Sequence, residues 1–142
     1  MKARVENERI PSGEDPDYHL KLGRGSLSDI EFVAQLLQLR HGAAIPALRV
    51  PGTLAALEVL AAHDLIDSDE LRSLCDSYLF CTTTRLRLHL QVGRAMDSLP
   101  TDPDDLRSLA ASLGFDRPAE LRDEYRRVTR RARRVFEARF YD

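Results

Sequence analysis

The stretch HLKLGRGSLSDIEFVAQLLQLRHG, residues 19 to 42, decides how this chain folds. It passes from a glycine-containing turn into a segment whose apolar residues recur at helical spacing. They form two neighbouring stripes, Ile30, Val33 and Leu37 on one and Phe32, Leu36 and Leu39 on the other. Two apolar stripes predict a helix from about Ser28 to Gly42 that is buried on more than one side.

The start of this helix reads as a capping box. In Ser28-Asp29-Ile30-Glu31 the serine can accept a hydrogen bond from the backbone of Glu31, whose side chain reaches back. Asp29 would meet the positive end of the helix dipole. We therefore predict a capping role for this motif.

Working outward, the sequence predicts further helices with recognisable ends. Thr53 can cap a helix that ends near His63, and Asp67 with Glu70 opens one that runs to about Asp97. Asp102 and Pro103 begin a short helix that stops at Gly114. The last helix runs from about Pro118 to Phe140, with an apolar stripe of Leu121, Tyr125, Val128, Ala132, Val135 and Phe136.

The long third helix carries an ambiguity. Residues 82–92, TTTRLRLHLQV, alternate as a strand would, but they have no turn signal on either side and no partner strand. We predict a helix there, with an inner stripe of Leu71, Cys75, Tyr78, Leu79, Thr82, Leu86, Leu90 and Gly93. The whole pattern favours an all-α, up-and-down helical bundle.

The segment before the first bundle helix is different. Residues 1–9, MKARVENER, look like the end of a helix, and residues 18–23, YHLKLG, like a short strand. A lone strand needs a partner, and the sequence shows none. This orphan strand predicts that a neighbouring part of the protein is missing from the chain.

Composition narrows the functional class. The net charge of −2 argues against a general polyanion binder. The two cysteines, Cys75 and Cys81, are six positions apart on a predicted helix, so they cannot bridge each other. No His or Cys spacing suggests a metal site. No membrane-spanning run and no signal peptide are visible, which favours a cytoplasmic protein without membrane contact.

The last helix carries eight arginines, at positions 122, 126, 127, 130, 131, 133, 134 and 139. Most fall opposite the apolar stripe, so a solvated face is the favoured interpretation. A surface for phosphates or an acidic partner is the main alternative. The acid-rich residues 97–124 and the lack of interleaved aromatic side chains argue against nucleic acid.

Catalytic motifs fit the opening stretch poorly. Gly23 and Gly25 match neither the phosphate-binding P-loop nor the dinucleotide pattern. Gly25-Ser26 followed by Asp29-x-Glu31 is similar to the metal-binding motif of polymerase-β-like nucleotidyltransferases. However, the intervening loop is too short, and positions i and i+2 of a helix point about 200° apart. We therefore expect no catalytic residue and no metal ligand.

The same stretch resembles a known family. Residues 20–42, LKLGRGSLSDIEFVAQLLQLRHG, look like the K-L-G-x-G-G-[IL]-x-[DE]-I-E-F-x-x-Q segment of bacterial glutamine synthetase adenylyltransferase/deadenylyltransferase. The ending YRRVTRRARRVFEARFYD resembles the C-terminus of actinobacterial members. The chain departs from the motif at Ser26, where the family usually has a second glycine.

This resemblance implies a C-terminal part of that enzyme. Residues 1–27 would be the end of the second nucleotidyltransferase domain and the junction, and residues 28–142 a helical bundle. The full-length family enzyme transfers AMP from ATP, with Mg²⁺, to a tyrosine of glutamine synthetase, under control of the PII protein and glutamine. The implied partners are glutamine synthetase, PII and the upstream nucleotidyltransferase domain. For the chain itself we expect a non-catalytic, positioning or regulatory role and no cofactor.

The resemblance also identifies candidate site residues. Lys21, Gly23, Gly25, Asp29 and Glu31 match the family motif, and Arg24 lies among them. We expect these six residues to shape the junction, with Lys21 and Arg24 near phosphates. Two other functions remain open: a free-standing helical module that binds a protein, and a domain that binds nucleic acid through the arginine face.

Overall fold

The computed structural model describes residues 10–11, 14–94 and 96–141, and the helix predicted over residues 1–9 lies outside them. Within these residues the secondary structure is helical, with no strand. The helices are α1 (Leu27–His41), α2 (Thr53–Ala62), α3 (Ser68–Val92), α4 (Pro103–Ser112) and α5 (Pro118–Phe140). Two short 3-10 turns lie at Pro16–Tyr18 and Pro46–Leu48. The prediction of an all-α helical bundle is confirmed.

The two long helices, α3 and α5, pack against each other and organise two apolar clusters. The first joins α1 and α2 to them through side chains such as Leu37, Leu57, Leu60, Leu74 and Phe136. The second joins α4 and the segment before α1, through Leu20, Leu88, Leu106, Leu109 and Leu121. Each fully buried leucine contributes roughly 1.5–3 kcal/mol. The segment before α1 is therefore part of the core of this bundle.

Three helix ends follow the sequence signals, whereas Thr53, predicted as a cap, lies inside α2, whose N-cap is Gly52. Asp67 accepts a hydrogen bond from the Glu70 backbone N–H at 2.7 Å, and Glu70 accepts one from the Asp67 backbone at 3.1 Å. Asp102 caps α4 through the Asp105 backbone N–H at 3.0 Å. Gly114 has a φ of +86°, in the left-handed region that ends helices. The predicted capping box at Asp67, the Asp102 cap and the Gly114 stop are confirmed.

We expect Asp67→Ala to lower the free energy of unfolding by about 1 kcal/mol, because the first turn of α3 loses its cap. Urea denaturation measures this change. Asp69→Ala is the matched control, since it removes a carboxylate from the same turn and keeps the cap. An equal loss in both variants would show that the helix dipole, and not the hydrogen bond, accounts for the effect.

The predicted inner stripe of α3 is wrong in part, although residues 82–92 are helical as predicted. Leu71, Cys75 and Tyr78 of that stripe are half-buried against the first cluster. The buried residues are Ser73, Leu74, Ser77, Cys81, Thr84 and Leu88. Leu79, Leu86 and Leu90 are 52%, 60% and 74% exposed. The buried Ser77 donates a hydrogen bond to the Gly25 carbonyl at 2.6 Å, so this face is buried partly against the turn before α1, which hydrophobicity alone does not reveal. The helix also ends at Val92, before Asp97, because Gly93 takes a φ of +68°.

Helix α1 shows a similar correction. Its first stripe, Ile30, Val33 and Leu37, is buried as predicted. Its second stripe is not, since Phe32 and Leu39 are 42% and 84% exposed. Leu36 of the second stripe is half-buried, so this side of the helix is covered only in part.

The strand predicted over residues 18–23 does not form. Tyr18 ends a 3-10 turn, and His19 makes one isolated antiparallel bridge with Ser98. The Leu20 N–H donates to the Asp97 carbonyl at 2.6 Å, and the Leu99 N–H to the Tyr18 carbonyl at 3.1 Å. The partner that the sequence did not show is therefore the loop between α3 and α4.

Candidate functional site

The glycine-containing turn before α1 is held by Asp29, not by the predicted capping box. Helix α1 begins at Leu27, and its N-cap residue is Ser26, which makes no side-chain cap. Ser28 lies inside the first turn, so the Ser28–Glu31 capping box is wrong. Instead the Asp29 carboxylate accepts a hydrogen bond from the Gly25 N–H at 2.6 Å. Asp29 can accept this hydrogen bond because its side chain points back toward the turn.

Asp29 also joins the turn to the last helix. Its Oδ2 accepts a hydrogen bond from Arg133 Nη1 at 2.8 Å, and the two side chains are only 1% and 12% exposed. Arg133 donates in addition to Glu137 at 3.0 Å and lies over the Phe136 ring. The pair is shielded from solvent. Because either charge alone would be costly to bury, the two side chains are held in a fixed geometry. We call this pair the Asp29–Arg133 latch.

Gly23 and Gly25 allow the turn to lie directly on α5. A Cβ on Gly23 would be 2.6 Å from the Tyr125 hydroxyl, and one on Gly25 would be 1.9 Å from the Thr129 carbonyl oxygen. Gly25 also has a φ of +75°. Two glycines in the motif are therefore explained by close helix contact, not by a phosphate approaching the backbone.

Hydroxyl groups complete the attachment of the turn. The Tyr125 hydroxyl donates to the His19 carbonyl at 3.1 Å and lies 3.1 Å from the Ser26 hydroxyl. The Ser77 hydroxyl of α3 donates to the Gly25 carbonyl at 2.6 Å. Burial raises the pKa of Tyr125, which keeps the hydroxyl protonated as a donor. Both long helices thus bind the motif.

A groove of about 650 Å³ lies between this turn and α5. Its basic lining consists of Arg24, Arg126, Arg130, Arg133 and Arg134. The carboxylates that line it are Asp17 and Glu137. The groove is therefore basic, although the chain carries a net charge of −2. We call it the arginine groove.

The guanidinium groups of the arginine groove differ in their contacts. Arg126 lies 5.3 Å from the Tyr18 ring centre and 3.9 Å from Asp123. Arg130 and Arg134 are exposed and form no ion pair or side-chain hydrogen bond within the described part of the chain. These two cations are available to a ligand.

The prediction of a uniformly solvated arginine face needs correction. Arg133 is largely buried in the latch, and Arg139 donates to Glu70 at 2.8 Å and to the Leu65 carbonyl at 3.1 Å. These arginines connect α5 to other elements. The sequence pattern could not separate these arginines from the exposed ones, because it does not show which element lies opposite each arginine.

The six predicted junction residues are partly brought together. Gly23 and Arg24 line the arginine groove, and Gly25 and Asp29 lie directly behind it. Lys21 is exposed and Glu31 half-buried, and neither is among the residues that line the groove. The nearness of Lys21 and Arg24 to phosphates stays a prediction. Tyr125, Thr129 and Arg133 were missed as members of the site.

Within residues 10–11, 14–94 and 96–141, no three His, Cys, Asp or Glu side chains are placed to hold a metal ion. Both cysteines are free thiols, and burial raises the pKa of Cys81 to about 12. Cys81 is therefore protonated and inert at neutral pH. None of the described helices combines the length and apolarity that a membrane span requires.

Comparison with known proteins identifies the family. The GlnD PII-uridylyltransferase family model matches residues 1–140. A bifunctional glutamine synthetase adenylyltransferase/adenylyl-removing enzyme of Leifsonia xyli is 46% identical over 143 residues, which cover 99% of this chain. The enzymes of the same name from Streptomyces coelicolor and Mycobacterium leprae are 44% and 45% identical, over 99% and 94% of the chain.

This chain spans 14% of the length of the Leifsonia xyli and Streptomyces coelicolor relatives. Its expected place at the C-terminal end of the enzyme, and the division at residues 27 and 28, stay predictions. The resemblance seen in the opening motif is confirmed by the match along the whole chain. The chain belongs to the family that the GlnD PII-uridylyltransferase model describes, and its relatives are bifunctional glutamine synthetase adenylyltransferase/adenylyl-removing enzymes.

Proposed function

We propose that this chain is the helical bundle of an enzyme that adenylylates and deadenylylates glutamine synthetase and so regulates nitrogen assimilation. The match to enzymes of that name over nearly the whole chain supports this. The longer enzyme would use ATP and Mg²⁺ in the cytoplasm. It would act on glutamine synthetase and respond to PII.

We propose further that the bundle positions a catalytic part of the enzyme and is not itself catalytic. The observation that carries this proposal is the Asp29–Arg133 latch. It fastens the family motif to α5 by a buried ion pair, with Asp29 bound also to the Gly25 N–H. Such a rigid attachment suits a segment that must hold a neighbouring domain at a fixed angle.

The carboxylates of the chain support the non-catalytic role. Two-metal phosphoryl transfer needs several carboxylates that converge on one point. Asp15, Asp67 and Asp102 instead cap backbone N–H groups at 2.9, 2.7 and 3.0 Å. Asp29 is engaged by Arg133. The described residues therefore do not fit a Mg²⁺ site, and the metal would bind elsewhere in the longer enzyme.

Two measurements test these proposals separately. The purified chain, incubated with labelled ATP, Mg²⁺ and glutamine synthetase, should attach no AMP to its target, with the Streptomyces coelicolor enzyme as positive control. AMP transfer by the purified chain would instead place catalysis within it and contradict the non-catalytic role. In a chimera, this chain replaces the matching segment of the Streptomyces coelicolor enzyme, and we expect adenylylation to persist. A folded but inactive chimera would contradict the proposed family function.

A further inference from the structure

We propose that the arginine groove binds a small anion with several linked phosphate groups. The sequence alone favoured a solvated face for the arginines of the last helix, with a surface for phosphates or an acidic partner as the main alternative. The inference rests on the convergence of Arg24, from the turn before α1, with four arginines of α5 around one cavity. It does not depend on the proposed action on glutamine synthetase.

The size of the groove suits a small molecule. Its volume of about 650 Å³ lies within the range of ligand pockets, roughly 300–1,000 Å³. Its walls come from the turn at residues 22–24, from helix α5 and from Ile10, Pro16 and Asp17 of the preceding segment, and the latch holds the turn against the helix. The cations are therefore presented from two sides of a preformed cleft, and a ligand need not organise them.

The charge of the groove selects an anion. Arg130 and Arg134 make no ion pair within the described residues, so their charges are not neutralised there. Asp17 and Glu137 are the acidic residues of the lining, and Glu137 already accepts a hydrogen bond from Arg133. Arginine's planar group binds phosphate oxygens in pairs, which favours phosphate over a simple carboxylate.

The spacing of the cations favours a chain of phosphates. Arg126, Arg130 and Arg134 recur every four residues on one face of α5. At a rise of 1.5 Å per residue their backbone positions span about 12 Å. A single phosphate can engage only part of such a row, whereas a linked phosphate chain can contact most of it. Nucleic acid is disfavoured, because the lining offers a single aromatic side chain, Tyr125, and that residue is buried.

Calorimetric titration of the purified chain tests the proposal with tripolyphosphate, ATP, AMP and inorganic phosphate as probes. We expect tripolyphosphate and ATP to bind at least tenfold more tightly than AMP or phosphate, with affinity that falls as salt rises. Arg130→Gln and Arg134→Gln should each weaken tripolyphosphate binding about tenfold, the usual loss when a charged hydrogen bond is removed. The ratio of ATP to tripolyphosphate affinity separates a nucleotide from an inorganic chain.

Arg87→Gln is the matched control, because it removes the same charge from a residue that is exposed on α3 and lies outside the groove. Its affinity for tripolyphosphate should equal that of the unmodified chain. Equal weakening in Arg87→Gln would show unspecific charge attraction and overturn the proposal. So would the absence of tripolyphosphate binding, or phosphate binding as tight as tripolyphosphate binding.

Discussion

Gly25→Ala should lower the free energy of unfolding by about 3 kcal/mol or more, the largest single effect we expect in this chain. Two costs add at this position. The φ of +75° disfavours any side chain, and the new Cβ would overlap the Thr129 carbonyl, which belongs to a rigid helix. The turn would have to move away from α5, which would disturb the latch and the Ser77 hydrogen bond. Urea denaturation followed by circular dichroism measures the loss.

Gly114→Ala separates the two costs. Gly114 has a similar φ of +86°, but nothing lies within 4 Å of a Cβ added there. We expect this control to lose only about 1 kcal/mol, from backbone strain alone. If both variants lose the same amount, the close contact between the turn and α5 contributes nothing, and our account of the motif glycines is wrong.

Asp29→Asn should cost about 3 kcal/mol, because it removes the buried carboxylate that pairs with the Arg133 guanidinium at 2.8 Å. The amide keeps the shape of the side chain but carries no charge, so the loss reports on the ion pair. Stability is again measured by urea denaturation. In the longer enzyme the same change should loosen the junction and lower adenylylation, without altering the dependence of the rate on Mg²⁺.

Asp104→Asn is the control for the latch. Asp104 pairs with Arg107 at 3.0 Å, but the two side chains are 85% and 66% exposed. Exposed pairs of this kind contribute roughly 0–1 kcal/mol. The double variant Asp29→Asn/Arg133→Gln should recover part of the lost stability, since no buried charge remains. A latch variant as mild as Asp104→Asn would refute the structural role that we assign to Asp29.

The opening motif shows why the family could be identified from sequence while its structural role could not. The amino-acid sequence of residues 20–42 is specific enough to indicate relatives that match along the whole chain. The structural role of these residues depends on α5, which lies about a hundred residues away in the sequence. Asp29 looked like a residue near a capped helix end, and only its contact with Arg133 shows that it joins two elements.

Local signals determined what local physics controls. The helix ends at Asp67, Asp102 and Gly114 were predictable because a cap involves residues three or four positions apart. Helix periodicity likewise predicted α5 and its buried stripe, since strongly amphipathic helices have one possible inner face. The fold class and most of the helix bounds could therefore be predicted from the sequence.

The tertiary structure alone decided which faces meet and where charges converge. On α3 the buried face carries Ser77, Cys81 and Thr84, and Ser77 meets the turn before α1, where its hydroxyl donates to the Gly25 carbonyl. The arginine groove exists only because the turn at Gly23 lies against α5. Periodicity describes one helix at a time, and burial depends on the partner that the fold brings to it.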